Sequence, residues 1–257
     1  MKSLKYFFIL TCFVLFMLGL SMLVQAQTPL GQWTFEPGNE LKDLAKNFGD
    51  IKLNGGATVA KGVLNLDTNM WAITTGYTGP DIKEKTMVAW LYLDDLEIKM
   101  GAPIAINKTS GDAFDAITYA ERQPHRFFPG SSNFSRTEDP VPGFEEKETG
   151  KLIQLAVSYE NSNNLAHIRM YRNGDLIGDY TKGNIATWTK GDVEAIFGPR
   201  AVIGGTAYGW IKGRVSEARL YGSVLTQAQV KALSIDGTSA VVPSGKLATL
   251  WGTMKAN

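Results

Sequence analysis

Two carboxylate pairs in this sequence, Asp95 with Glu97 and Asp192 with Glu194, have the i, i+2 spacing that places both acids on one face of a strand. Hydrolysis of a glycosidic bond needs two carboxyl groups flanking that bond, one to protonate the leaving oxygen and one to act as nucleophile or to activate water. Both pairs fall at strand edges, where solvated charges ordinarily block edge-to-edge aggregation. Neither is expected to catalyse. Nucleophilic and metal chemistry have still less to work with. The chain has two histidines, His125 and His167, no Gly-x-Ser-x-Gly elbow, and neither a His-x-x-x-His nor a His-Glu-x-x-His motif. His167 opens a hairpin strand and is expected to face solvent. The sequence reads as that of a non-enzyme.

Arginine, aromatic and amide side chains offer a different chemistry. They crowd into segment 120–151, AERQPHRFFPGSSNFSRTEDPVPGFEEKETGK, which carries four prolines and little periodicity. A long connection without structure of its own is uncommon in a compact domain and is often functional. Aromatic rings stack on the C–H faces of a sugar while arginine and asparagine bond hydroxyls or carboxylates. Arg122, His125, Arg126, Phe127, Phe128, Asn133 and Arg136 are therefore the candidate ligand-binding residues. The competing reading tucks Phe127, Phe128 and Phe134 beneath the loop and pins it to the domain. Alanine at Arg126 and Arg136 separates the two, since the first reading expects weaker binding at an unchanged melting temperature and the second a loss of stability.

The elements that must position these residues are strands. Short apolar runs recur between turn signals at 31–36, 57–67, 86–95, 103–108, 114–121, 152–160, 167–180, 194–198 and 214–221. Within 167–180 the Asn173-Gly174 pair is a strong hairpin signal, because both central positions of a type I′ turn need positive φ. Many antiparallel strands and no parallel crossovers predict an all-β fold, an antiparallel β-sandwich. In the run 86–95, Met87, Ala89, Leu91 and Leu93 form one apolar face, and Val88, Trp90 and Tyr92 the other. The second face is either capped or open as an aromatic platform. Near the end, Ser216, Ala218 and Leu220 alternate with Val215, Glu217, Arg219 and Tyr221. A short helix follows, with Thr226 as N-cap, Gln229 closing a capping box, and Leu225 and Val230 as a hydrophobic staple.

The first 26 residues have the pattern of an export signal: Lys2 and Lys5, an apolar run over 6–24, and small residues before a cut after Ala26. The run is nearly long enough to span a bilayer, so the alternative is an uncleaved N-terminal anchor, the only membrane attachment expected. Either way the domain is secreted or held at the cell surface. Cys12, the only cysteine, lies in this segment, which leaves no disulfide to stabilise the mature chain. Removing the two lysines leaves 24 of the 26 basic residues against 25 acidic ones, a balance that gives nucleic acid no electrostatic footprint. No linker or internal repeat divides 27–235, which reads as one domain. In the tail, 236–257, Leu247, Leu250, Trp251 and Met254 fall on one stripe of a two-turn helix, too short to persist undocked.

The stretches LIQLAVSYENSNNLAHIRMYRNGDLIGDY, IFGPRAVIGGTAYGWIKGRVSEARLYGSVLTQAQVKAL and GQWTFEPGNELKDLAKNFGDIKLNGGATVAKGVLNLD together resemble the central hairpin, closing block and opening strand of laminin G-like, concanavalin A-like jelly rolls. The resemblance covers most of 30–234, with 109–150 outside it. It implies that the first and last strands are neighbours, with Glu217 near Trp33 and Phe35, and that the short helix covers the end of the sandwich. It also implies a structural calcium ion, for which Glu36, Asp43, Asp50 and Glu217 are the available oxygen ligands. This chain has Ser216 and Glu36 where the family pattern has aspartate, and the alternative is that Glu217 pairs with Arg219. No other cofactor is implied. Hydrolases of this fold carry Glu-x-Asp-x-x-Glu, which neither carboxylate pair completes. The expected function is a secreted, non-catalytic module that binds an extracellular carbohydrate or protein. The alternatives are an adhesive cell-surface module and a glycoside-acting enzyme.

Overall fold

A computed structural model describes residues 27–235. The leader and the tail helix expected above lie outside the described residues. Two antiparallel sheets pack face to face. The larger holds β1 (Gly31–Trp33), β3 (Thr58–Ala60), β4 (Val63–Leu66), β6 (Lys85–Leu93), β10 (Leu152–Ser162), β11 (Leu165–Arg172), β12 (Asp175–Asn184) and β16 (Gly213–Tyr221). Its order is β12-β11-β10-β6-β16-β4-β3, with β1 also on β16. The smaller holds β2 (Lys52–Asn54), β5 (Trp71–Thr74), β7 (Gly101–Asn107), β8 (Phe114–Tyr119), β9 (Phe127–Ser131) and β13 (Glu194–Pro199), in the order β2-β5-β13-β7-β8-β9. A ribbon of β14 (Ala201–Ile203) and β15 (Thr206–Tyr208) and a helix, α1 (Gln227–Ala232), complete the domain.

The main core lies between the sheets. From β6 it takes Met87, Ala89, Leu91 and Leu93, the face read from the sequence, and from the opposite sheet Ile104, Ile106, Ile117 and Phe197. Trp33 meets Phe197 edge-on at 5.3 Å. Burial of each such side chain contributes about 1.5–3 kcal/mol. The other face of β6 is capped rather than open: Val88 and Trp90 join Ala156, Tyr171, Tyr221, Leu225 and Val230 in a second apolar cluster. The Arg219 guanidinium lies 4.9 Å from the Trp90 ring centroid. A third cluster, on the outer face of the smaller sheet, is covered by the β14–β15 ribbon.

First and last strands do pair, Gly31 with Leu220 and Trp33 with Ala218. The faces of β16 need correction. A bulge at Ser216 shifts the register between Val215 and Glu217, so Val215 joins Ala218 and Leu220 in the main core rather than lying with Glu217. At the same point β16 changes its neighbour from β4 to β1. The run 57–67 is a hairpin, turning at Lys61 (φ 55°) and Gly62 (φ 73°). The opening strand stops at Trp33, two residues before Phe35 takes φ 57°.

Helix α1 begins as read: the Thr226 hydroxyl accepts from Gln229 N–H, and the Gln229 side chain accepts from Thr226 N–H at 2.9 Å. Its position differs from the expectation. It lies on the outer face of the larger sheet, not over the end of the sandwich, because Val88, Trp90 and Tyr171 leave an apolar patch there for Leu225 and Val230 to cover. Gln154 Nε2 donates to the Val230 carbonyl at 3.1 Å. Thr226→Ala removes an N-cap and is expected to lower stability by about 1 kcal/mol, measured by urea denaturation.

Candidate functional site

Segment 120–151 is partly ordered into the sheet. Its residues 127–131 are β9, an edge strand paired to β8 from Tyr119–Phe127 to Asp115–Ser131. Phe127 and Phe128 are therefore buried strand residues, 2 % and 1 % exposed, and neither is presented to a ligand. Phe127 packs on Tyr119 in the main core. The sequence gives no alternation here because the strand is covered on both faces.

Arg136 is also withdrawn from solvent. Its Nε and Nη2 both lie 2.9 Å from Asp115 Oδ1. Asp115 Oδ2 is 2.8 Å from Lys85 Nζ, and neither of those side chains has any exposed surface. The Lys85 ammonium sits 4.1 Å from the Tyr159 ring centroid and 5.4 Å from that of Trp188. This is a charged cluster inside a core, so Arg136 carries stability rather than recognition. The remaining candidates are dispersed. Arg122 holds Asp139 through two bonds (2.7 and 3.2 Å), His125 Nε2 meets Glu97 at 2.8 Å, and Arg126 approaches Glu145 at 3.9 Å. Arg126 and Asn133 line two separate depressions.

Arg126 lines the larger depression, about 660 Å³, bounded by the 142–148 loop and the start of β10. Two of its charged groups are matched to each other. Arg172 grips Glu146 with two bonds (2.7 and 2.8 Å), and its guanidinium already stacks 3.8 Å over the Phe144 ring.

Asn133 lines a depression of about 300 Å³ beside the β14–β15 ribbon, at the lower end of the range for small-molecule sites. Two turns build it. After β9 the chain makes a single 3₁₀ turn, 132–134, in which Asn133 and Phe134 take φ of 52° and 51°; this brings out Asn133 and the Phe134 ring, which is 40 % exposed. Opposite, Gly204 (φ 57°) and Gly205 (φ 82°) form the two-residue turn of the ribbon. The ribbon ends at Tyr208, 41 % exposed. Gly209 follows at φ 80°, where a Cβ would lie 2.0 Å from the Met100 carbonyl oxygen, so only glycine lets the chain leave there.

Phe114, Ala201 and Ile203 make the floor apolar, while Glu121 and Arg200 add a paired charge at 3.1 Å. Burial raises the Glu121 carboxyl above its ordinary pKa against the opposing pull of Arg200 and Arg122. Arg200 Nη1 is buried with no hydrogen-bond partner. Arg122 backs Phe134, its guanidinium 5.5 Å from the ring centroid. Glu121, Arg200 and Tyr208 were missed from sequence. The Gly-Gly pair between two short apolar runs was the available signal for their ribbon.

The aspartates of the carboxylate pairs serve turns. Asp95 accepts from Glu97 N–H at 2.8 Å, and Asp192 accepts from Ser110 N–H, Ser110 Oγ and Thr109 Oγ, each at 2.7 Å. Glu194 is buried on β13. His167 bonds Asp179 at 2.5 Å on the hairpin surface.

The four carboxylates offered for calcium do not come together. Asp43 accepts backbone N–H bonds from Gln32, Ala45, Asn47 and Phe48 at 2.8–3.0 Å, Asp50 pairs with Lys42, and Glu36 lies over Gly62. Buried Glu217 accepts from Arg219 Nε (2.5 Å) and Gln32 Nε2 (3.0 Å). Among the described residues no group of three or more His, Cys, Asp or Glu side chains is arranged to hold a metal ion. These residues do not fit the cation, and a chelator is expected to leave the melting temperature unchanged in a calorimetric scan.

The Laminin_G_3 family, described as the concanavalin A-like lectin/glucanases superfamily, matches residues 65–231. No curated protein matches the chain. Among solved structures, domain 4 of AbnA, an extracellular arabinanase of Geobacillus stearothermophilus, solved with arabinotriose, is similar at TM-score 0.52 and 18 % identity, over 80 % of this chain and 98 % of that one. Trypanosoma rangeli sialidase, solved with sialic acid, is similar at 0.56 and 14 %, over 81 % of this chain and 33 % of that one. The binding domain of botulinum neurotoxin DC, solved with rat synaptotagmin II, is similar at 0.52 and 11 %, over 79 % and 50 %. The chain thus spans a third to a half of the last two. At these identities the likeness is one of fold.

Proposed function

Because the chain belongs to the concanavalin A-like lectin/glucanases superfamily, we propose that it is an exported, non-catalytic module that binds an extracellular carbohydrate in the depression between the 132–134 turn and the β14–β15 ribbon. The observation that carries this reading is the pair of part-exposed rings, Phe134 and Tyr208, lining the same depression as Asn133, Ser132 and the Glu121–Arg200 pair. Rings supply stacking surface for the C–H face of a sugar, and the amide, hydroxyl and guanidinium groups supply donors and acceptors for its hydroxyls. The larger depression suits a ligand less, since its arginine, glutamate and ring already satisfy one another.

Catalysis is not part of the proposal, because Asp95, Asp192 and Glu194 hold turns or are buried within a strand. Export rests on the leader pattern of the first 26 residues. The testing experiment is binding of the purified chain to an array of polysaccharides and glycans. A saturable, selective signal lost on changing Asn133 or Arg200 supports the site. A folded protein that binds no glycan overturns it and favours a protein ligand.

A further inference from the structure

We propose that Lys85 and Asp115 join in an intramolecular isopeptide bond that staples the two sheets together, formed by the domain on itself. Lys85 opens β6 in the larger sheet and Asp115 lies on β8 in the smaller, so a link between them crosses the core. Their side chains touch at 2.8 Å with no exposed surface. The contact is not aligned as a hydrogen bond: Lys85 Nζ and Asp115 Oδ2 are both left without a hydrogen-bond partner, as is the nearby Tyr159 hydroxyl. An ammonium and a carboxylate oxygen brought this close without a hydrogen bond between them bear the desolvation cost of a buried ion pair without its full compensation. A neutral amide removes both charges.

The surroundings favour the reaction. Burial lowers the Lys85 pKa, against the opposing charge of Asp115, which moves the amine toward the nucleophilic, unprotonated form. Tyr159 and Trp188 enclose the nitrogen in aromatic surface, so water is kept from reversing the bond. Arg136 binds the other carboxyl oxygen, Oδ1, through Nε and Nη2 at 2.9 Å, where negative charge develops as the carbonyl carbon becomes tetrahedral.

In the step itself an ammonium proton passes to Oδ2, and Nζ attacks Cγ. A second proton moves from nitrogen to the same oxygen, which departs as water. One C–N bond forms, one C–O bond breaks, and nothing is oxidised or reduced. The cluster carries one net positive charge before and after, that of Arg136, which keeps the new amide oxygen, the Phe114 carbonyl and Ser135 Oγ as acceptors. The chain's single cysteine excludes an internal disulfide, so this link would be the domain's covalent brace.

Mass spectrometry of the full chain under denaturing conditions, followed by tryptic mapping, tests it. The expected result is a loss of one water from the sequence mass and a branched peptide joining 84–99 to 109–122, with no cleavage after Lys85. Lys85→Arg and Asp115→Ala should retain full mass, a readout that does not require the variants to fold. A wild-type chain of full mass overturns the proposal. So does a water loss without the branched peptide, which would mark a cyclised aspartate instead.

Discussion

Asp115→Ala is expected to destabilise the domain by about 3–5 kcal/mol, the usual consequence of leaving a buried charge without its partner. Lys85 and Arg136 both rest on this carboxylate, and with it gone two cations remain among Tyr159, Trp188 and the surrounding core. Neither can reach water cheaply, because Lys85 is wholly enclosed and the Arg136 side chain only 9 % exposed. Any covalent link through Asp115 is lost as well, which adds to the effect. Chemical denaturation of the variant beside the wild type measures the loss. A change below about 1 kcal/mol would mean that the charges are solvated or relaxed. The triple variant Lys85→Met, Asp115→Leu, Arg136→Met is expected to recover part of the loss, since replacing a buried ionic group with apolar side chains of similar volume is often neutral or stabilising.

Phe134→Ala and Tyr208→Ala are each expected to weaken glycan binding roughly thirty-fold, as for an aromatic contact worth about 2 kcal/mol. Stability should stay within about 0.5 kcal/mol of wild type, because both rings are part-exposed at turn and ribbon ends. Titration calorimetry with an array-selected ligand, paired with a thermal melt, separates the two quantities. Full affinity in both variants would remove the rings from recognition. Arg126→Ala serves as the comparison, since Arg126 lines the other depression and should leave glycan affinity unchanged.

The contrast between Arg126, Arg136 and Tyr208 shows how far the residues of 120–151 could be read in isolation. Arginine, phenylalanine and asparagine crowded into a proline-rich stretch do mark a region next to two depressions. Composition could not say that Phe127 and Phe128 enter an edge strand, or that Arg136 turns inward to Asp115. Tyr208 lies more than seventy positions beyond Asn133 and reaches it through the folding of a separate ribbon.

What the sequence by itself determined is what rests on neighbours in the chain. The core face of β6 follows from period-2 alternation, the Asn173-Gly174 turn from two positive φ values, and the start of α1 from the reciprocal bonds of Thr226 and Gln229. Tertiary structure alone decided what depends on the meeting of distant strands: the bulge at Ser216 that turns Val215 inward, the seat of α1 on Trp90, the Lys85–Asp115–Arg136 cluster, and the rings that line one depression. The physical reason is range. Backbone preference and side-chain alternation act over a few residues, whereas strand register brings together side chains that no spacing in the sequence relates.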